Sequence, residues 1–324
     1  MKKKILITDG VHQVLLKQLK NAGFTVDYRP KLSLEQVREI VAPYHGIVIN
    51  SKIIVDEAFL TRAPNLEFVA RLGSGMEIID QNATDRRHIS VFNSPNGNCN
   101  AVAEHAMGMI LMWHNNLYQA NNEVKSMIWR REENRGTEII GKNLGIIGFG
   151  HTGSALAQKL EGFGVSVYAY DKYKKGYATG TSYIYECTSL DEVLKKADIL
   201  SFHLPLNFET VKLANKSLFN KTKRGVLIVN TSRGGVIDTP DLMEAILSGQ
   251  VAGACLDVFE NEKPETYSPE EKNMYQTLFA MPSVLTSPHI AGWTKESKFK
   301  LADILLHKIL THYGIDIEGS KSLR

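Results

Sequence analysis

Cysteine is scarce in this chain. Only Cys99, Cys187 and Cys255 occur in 324 residues, far apart, odd in number and without a C-x-x-C pair. That excludes a disulfide framework and offers no zinc-ligand spacing, so no metal is expected. A reducing compartment, the cytoplasm, suits such a composition. Long apolar runs are also lacking: none approaches the ~20 residues that cross a membrane. The N-terminus has no apolar core followed by a small-residue cleavage site, so no secretory leader is expected. Charge of one sign is sparse as well, with a net charge of +3 and Lys2-Lys3-Lys4 as the only basic run. Those lysines read as the solvated flank of Ile5-Leu6-Ile7, and neither a nucleic-acid surface nor a membrane partner is expected. There is no short-period repeat and no low-complexity tract.

What is present is ordinary for a globular protein: 43% hydrophobic and 23% charged residues. The length favours two domains. Short β-like runs alternate with helical patterns from the start. Strands are expected at 4–8, 24–28, 46–50 and 66–71, with helices at 11–21, 34–41 and 57–62 between them. Such alternation implies an α/β fold with parallel strands and crossover helices. A long helix is expected from about Ala101 to Tyr118 with Asn100 as its N-cap. Its stripe of Ala103, Ala106, Met107, Ile110, Leu111 and His114 reads as packing. A second α/β series starts near Lys142, with strands at 144–147, 165–170, 199–203, 226–230, 251–256 and 284–286. Helices are expected within it at 152–160 and 241–247, and a last amphipathic helix at 298–312.

Leu144-Gly145-Ile146-Ile147-Gly148-Phe149-Gly150-His151-Thr152-Gly153 sets G-x-G-x-x-G after a strand and before a helix. Gly148 permits the tight turn, Gly150 lets backbone approach a pyrophosphate, and Gly153 allows close helix–strand packing. The helix N-terminus adds unpaired N–H groups and a favourable dipole. Asp171 ends the next strand, eighteen residues after Gly153. A carboxylate there accepts from ribose hydroxyls and repels a 2′-phosphate, which favours NAD over NADP, although Lys172, Lys174 and Lys175 would soften that discrimination. The fingerprint lies mid-chain. The expected division is therefore a substrate domain at 1–99, completed by 293–324, and a nucleotide domain at 100–292.

Three further residues follow strands of the second half: Arg233 after 226–230, Glu262 after 251–256 and His289 after 284–286. In a parallel sheet all three lie beyond carboxyl ends, where α/β sheets bind ligands. Reducing a 2-keto acid needs a cation for the carboxylate and a proton donor for the forming alkoxide. Arginine is a fixed cationic fork, histidine titrates near neutrality, and a carboxylate beside it orients the ring. Singly each residue could be turn or surface; together, downstream of the fingerprint, they read as a catalytic set.

The motifs G-I-I-G-F-G-H-T-G (145–153), N-T-S-R-G-G (230–235), L-D-V-F-E-N-E (256–262) and S-P-H-I-A-G (287–292) closely resemble the D-isomer-specific 2-hydroxyacid dehydrogenases, particularly their phosphoglycerate dehydrogenase-like branch. The resemblance runs from about Ile5 to Tyr313. It implies two Rossmann-like domains, a flavodoxin-like substrate domain and an NAD-binding domain, flanking a cleft, and a homodimer. It implies Arg233, Glu262 and His289 as the catalytic trio, with His289 as proton donor. Cofactor contacts are implied at His151, Thr152, Asp171, Thr231, Asp257 and the backbone of His203, Leu204 and Pro205. Ser74 and Gly75, in Leu72-Gly73-Ser74-Gly75, match the family loop whose N–H groups receive the substrate carboxylate. One departure concerns the substrate. Asn50-Ser51-Lys52 stands where phosphoglycerate dehydrogenases tend to carry arginine two residues before Lys52, leaving Lys52 as a point charge for a phosphate. Only a short tail follows Tyr313, so feedback by serine through a regulatory domain is not expected.

The expected activity is hydride transfer between NAD(H) and a small 2-hydroxy or 2-keto acid. 3-Phosphoglycerate is the first candidate, and glyoxylate or hydroxypyruvate the alternative. A different class, an NADH-sensing corepressor-like binding protein, shares the resemblance.

Overall fold

The computed structural model describes residues 2–315. It divides into two compact units, one formed by Met1–Asn98 with Trp293–Arg324, the other by Cys99–Gly292. In the first, strands β1 (Lys4–Ile7), β2 (Thr25–Tyr28), β3 (Gly46–Ile49), β4 (Phe68–Arg71) and β5 (Ser90–Phe92) alternate with helices α1 (Gln13–Asn21), α2 (Leu34–Ile40), α3 (Glu57–Thr61) and α4 (Gln81–Arg86). All pairings are parallel, in the order β2-β1-β3-β4-β5. This is the flavodoxin-like winding, produced by right-handed crossovers on both sides of β1.

The second unit contains α5 (Cys99–His114), α6 (Leu117–Lys125), β6 (Asn143–Ile147), α7 (His151–Lys159), β7 (Ser166–Tyr170), β8 (Ile184–Glu186), α8 (Leu190–Lys196), β9 (Ile199–Phe202), α9 (Lys216–Phe219), β10 (Val226–Asn230), α10 (Thr239–Leu247), β11 (Val251–Leu256), α11 (Pro269–Phe279) and β12 (Val284–Thr286). Its parallel sheet runs β12-β11-β10-β9-β6-β7-β8. Strands β9 and β10 are buried throughout, as sheets covered on both faces require. One face packs on Ala103, Ala106 and Ile110 of α5 and Leu156 and Ala157 of α7. The other packs on Leu194, Phe219, Leu242 and Leu278, from α8 to α11. The winding reverses between β6 and β9, which opens a crevice at the carboxyl ends of those strands. The chain then returns to the first unit as α12 (Lys295–His312), whose Leu305, Leu306 and Ile309 pack with Leu15 and Leu19 of α1.

Three expectations about helices need correction. Asn100 is no N-cap: it lies inside α5 and donates to Glu104 at 2.9 Å. The helix expected to reach Tyr118 stops at His114, because Asn116 adopts a left-handed φ of 50° and a new helix starts at Leu117. The stop is stabilised across the sequence. Thr137 donates its N–H to the His114 carbonyl at 2.8 Å, and its hydroxyl meets His114 Nδ1 at 2.8 Å. The last helix starts three residues before Lys298, because the Thr294 hydroxyl caps it by accepting from Ser297 N–H at 3.0 Å. No helix among the described residues is long and apolar enough to cross a membrane.

Leu200, in the middle of β9, is fully buried in the core beneath α8 to α11. Leu200→Ala is expected to cost about 2–5 kcal/mol through lost transfer energy and an unfilled cavity. The check is a lowered urea midpoint with unchanged slope. An unmoved midpoint would contradict this placement.

Candidate active site

The nucleotide crevice is built by the turn after β6. Gly148 has φ 91°, and a Cβ there would lie 2.4 Å from the His203 carbonyl oxygen. A Cβ on Gly153 would lie 2.2 Å from the Gly148 carbonyl. Both positions therefore require glycine for packing within the turn. Gly150 differs: nothing of the protein lies within 4 Å of its would-be Cβ, so the turn offers a bare backbone face. Gly150 N-caps α7 without a side-chain hydrogen bond. The first N–H groups of that helix have no carbonyl partner within it, and His151 is exposed beside them. Thr152 is half-buried there.

Asp171 is fixed from three sides. Its Oδ2 accepts from Phe149 N–H at 2.8 Å, and its Oδ1 from the N–H groups of Tyr173 and Lys174, both at 2.9 Å. Burial pushes this carboxyl upward, but the N–H groups of Lys174, Tyr173 and Phe149 outweigh it and hold the group below the ordinary aspartate value. The carboxylate thus stays charged against the glycine turn, with acceptor capacity left for a hydroxyl. On the opposite flank, His203 pairs through Nε2 with Ser201 Oγ at 2.9 Å, and burial lowers it to about 4, which leaves the ring neutral. Leu204 covers Gly148, and the Pro205 carbonyl accepts from Thr210 at 2.6 Å.

Thr231 follows β10. Its hydroxyl is buried and has no hydrogen-bond partner in the protein, an arrangement that costs free energy unless something else binds it. An open glycine face, an uncapped helix start, a charged Asp171 and this orphaned hydroxyl together fit a dinucleotide.

At the carboxyl ends of β10, β11 and β12 the polar residues converge. Asn230, fully buried, stitches its turn by donating to the Arg233 carbonyl at 2.9 Å and accepting from Ser232 N–H and Oγ at 3.0 and 2.8 Å. His289 Nδ1 meets Glu262 Oε2 at 2.8 Å, with the side chains 50% and 38% exposed. Burial raises the Glu262 carboxyl. The hydrogen bond and charge of His289, the Phe259 N–H and the nearby Arg233 charge overcome this and bring it below the usual glutamate value. Arg233, Glu262 and His289 therefore share one neighbourhood. His289 itself takes a left-handed φ of 55°, which a histidine adopts only when its surroundings demand it.

Asp257 supplies that demand. Its side chain, implied among the cofactor contacts, is 1% exposed and also holds protein partners. Its oxygens accept from Ser287 Oγ at 2.6 Å, Ile290 N–H at 2.9 Å and Ala291 N–H at 2.8 Å, while its carbonyl accepts from His289 N–H at 2.7 Å. Its contacts make it the residue that positions the His289 loop. The sequence reading missed His105, whose Nε2 lies 2.8 Å from Ser287 Oγ and 3.6 Å from Asp257. A lone histidine on a packing helix gives no signal for this.

The first unit holds the remaining residues. Lys52 Nζ donates to the Pro30 carbonyl at 2.7 Å and lies 3.8 Å from Asp9, so its charge is already partnered. Ser74 Oγ donates to Asn98 at 3.1 Å, and the Gly75 carbonyl accepts from Arg71. Arg71 also reaches the Asn50 carbonyl at 3.2 Å, tying together the loops that follow β3 and β4.

Residues 107–291 match the model described as D-isomer specific 2-hydroxyacid dehydrogenase, NAD binding domain. The chain is 33% identical over 310 residues to a D-3-phosphoglycerate dehydrogenase of Archaeoglobus fulgidus, and 36% identical over 310 residues to that of Bacillus subtilis. Each match covers 95% of this chain but 56% of the relative, so the chain spans about half the length of these curated relatives. Among solved structures, D-lactate dehydrogenase from Aquifex aeolicus, complexed with NAD and lactic acid, superposes with a TM-score of 0.85 at 26% identity over 96% of each chain.

Thr231→Val tests the fit of the dinucleotide. Because the hydroxyl has no protein partner, the variant is expected to melt no lower than the parent, yet to bind NADH about 2- to 12-fold more weakly, the worth of one hydrogen bond. Thermal melts and a binding titration check the two halves. A lower melting point with unchanged affinity would make Thr231 purely structural.

Proposed function

We propose, because the chain belongs to the D-isomer specific 2-hydroxyacid dehydrogenase family, that it transfers hydride between NAD(H) and a small 2-hydroxy or 2-keto acid. The observation that carries this reading is the 2.8 Å contact of His289 Nδ1 with Glu262, beside Arg233 and on the same sheet edge as the glycine turn. With Nδ1 committed to Glu262, Nε2 is the nitrogen that exchanges a proton with substrate oxygen. In reduction the imidazolium gives that proton to the forming alkoxide; in oxidation the neutral ring takes it from the hydroxyl. The Arg233 guanidinium holds the substrate carboxylate. Bound NADH supplies the hydride. The Ser74–Gly75 loop is the proposed second anchor of the carboxylate.

3-Phosphoglycerate is the first candidate substrate, supported by the names of the curated relatives. One observation favours the alternative, glyoxylate or hydroxypyruvate: the Lys52 ammonium, the cation proposed for a phosphate, is already occupied by Pro30 and Asp9. A second copy of this chain is the proposed partner. Exposed Leu117, Tyr118, Val124, Met127 and Trp129, in and after α6, form the apolar surface such a contact would cover. Three scarce, widely separated cysteines, Cys99, Cys187 and Cys255, suit the cytoplasm.

The deciding experiment follows NADH absorbance with phosphohydroxypyruvate, hydroxypyruvate, glyoxylate and pyruvate. Turnover of at least one is expected; none with any of them would sink the enzyme reading. Glu262→Gln gives an independent check. Glu262 is held below its ordinary value of 4.5, so at neutral pH the ring always faces an anion. Without that anion the imidazolium loses support, and the basic limb of the reduction profile is expected to move toward acid. A superimposable profile would show that Glu262 does not act on His289.

A further inference from the structure

We propose that Glu209 is a second determinant of NAD over NADP, acting by occupying Lys172 and adding a negative charge beside Asp171. The inference rests on the dinucleotide reading of the glycine turn. Strands β7 and β9 flank β6 in the sheet, so the loops that follow them flank the glycine turn. Glu209 belongs to the loop after β9, and it reaches across to the loop after β7. Its Oε1 accepts from Lys172 Nζ, and its Oε2 from the Tyr173 hydroxyl at 2.8 Å. Lys172 and Tyr173 are the two residues immediately after Asp171, the carboxylate placed at the ribose.

The lysines after Asp171 are the groups that could receive a 2′-phosphate, and the structure disposes of them unevenly. Lys172 is paired with Glu209. Lys175 lies over the Tyr170 ring at 5.8 Å. Lys174 contributes its backbone N–H and its charge to Asp171. A 2′-phosphate would thus meet two carboxylates, Asp171 and Glu209, and the lysine that follows Asp171 is already paired with Glu209. A 2′-hydroxyl meets no such penalty. The acceptor side of the clamp is held in turn: the Glu209 N–H donates to Asn207 Oδ1 at 2.9 Å, and Asn207 N–H donates to Thr210 Oγ1 at 2.9 Å. Glu209 is therefore presented by a folded turn. The Lys172 ammonium is raised by the Glu209 hydrogen bond, and the Glu209 carboxyl is lowered by Lys172 and then Tyr173, so both remain charged.

Glu209→Gln keeps an acceptor for Tyr173 and removes the charge. NADPH and NADH are titrated separately against the purified full chain by quenching of protein fluorescence, at low salt and again at 1 M salt. The variant is expected to bind NADPH about three- to thirtyfold more tightly, the range that one or two exposed charge interactions supply. NADH affinity should change little. The gain should shrink at 1 M salt, where the screening length is about 3 Å. Adding Lys172→Met to the variant should shrink the gain, because the freed ammonium is then missing and only the lost repulsion remains. An unchanged ratio of NADPH to NADH affinity in a variant that still binds NADH would overturn the role of Glu209 alone, as would a gain undiminished by loss of Lys172. Failure of the parent chain to bind NADH at all would overturn the dinucleotide reading and this inference with it.

Discussion

Asp257 accepts three hydrogen bonds on its carboxylate, from Ser287 Oγ and the N–H groups of Ile290 and Ala291, while buried from solvent. Taking a carboxylate out of water costs several kcal/mol, and only a full set of donors offsets that. The donors come from one short loop, so satisfying the charge fixes the loop. His289 sits in that loop with φ 55°, a conformation that costs on the order of 1–3 kcal/mol when the surroundings impose it. The ring orientation that meets Glu262 follows from this backbone. Remove the buried carboxylate and His289 loses its place.

The glycine turn is stabilised by the same physics. Asp171 collects N–H groups from Phe149, Tyr173 and Lys174, and so locks the strand that bears it to the turn that would carry a pyrophosphate. The pair expected to move a proton is treated differently. Glu262 and His289 are each more than a third exposed, which leaves their protons in exchange with water. The Asp257 carboxylate thus lies beneath the surface, and the Glu262–His289 pair lies at its edge. A proton donor buried as deeply as Asp257 could not be recharged between turnovers without a path through the core.

Much of this was legible in the sequence, for a physical reason. Strands at 226–230, 251–256 and 284–286 are buried β-runs bounded by turn residues, and the structure places them at those residues. The winding also follows from the alternation, because parallel strands require crossovers. The break at Asn115–Asn116 was not legible, since it depends on Thr137 reaching back to His114. Strand β8 escaped notice because Ile184–Glu186 is too short to show a period. Helix α11 did carry a readable start, a capping box of Ser268 and Glu271, that was passed over. Asp257 marks a further limit. A motif tells which acid stands at the end of a strand, and only its partners tell that it also holds the loop of His289.

Gly234 shows how tightly the placement of Arg233 and Glu262 is tied to packing. It follows Arg233, and a Cβ there would lie 1.9 Å from the backbone carbonyl of Phe259. The turn after β10 and the loop after β11 thus touch backbone to backbone. The Phe259 N–H in turn donates to Glu262 Oε1 at 3.3 Å, and the Arg233 charge helps to lower the Glu262 carboxyl. With any side chain at 234, the two segments would have to separate. Separation would weaken the Arg233 field at Glu262 and leave the Glu262–His289 contact without its backbone brace. The glycine after the arginine is therefore a distance constraint between a cation and an acid that stand 29 residues apart in the chain.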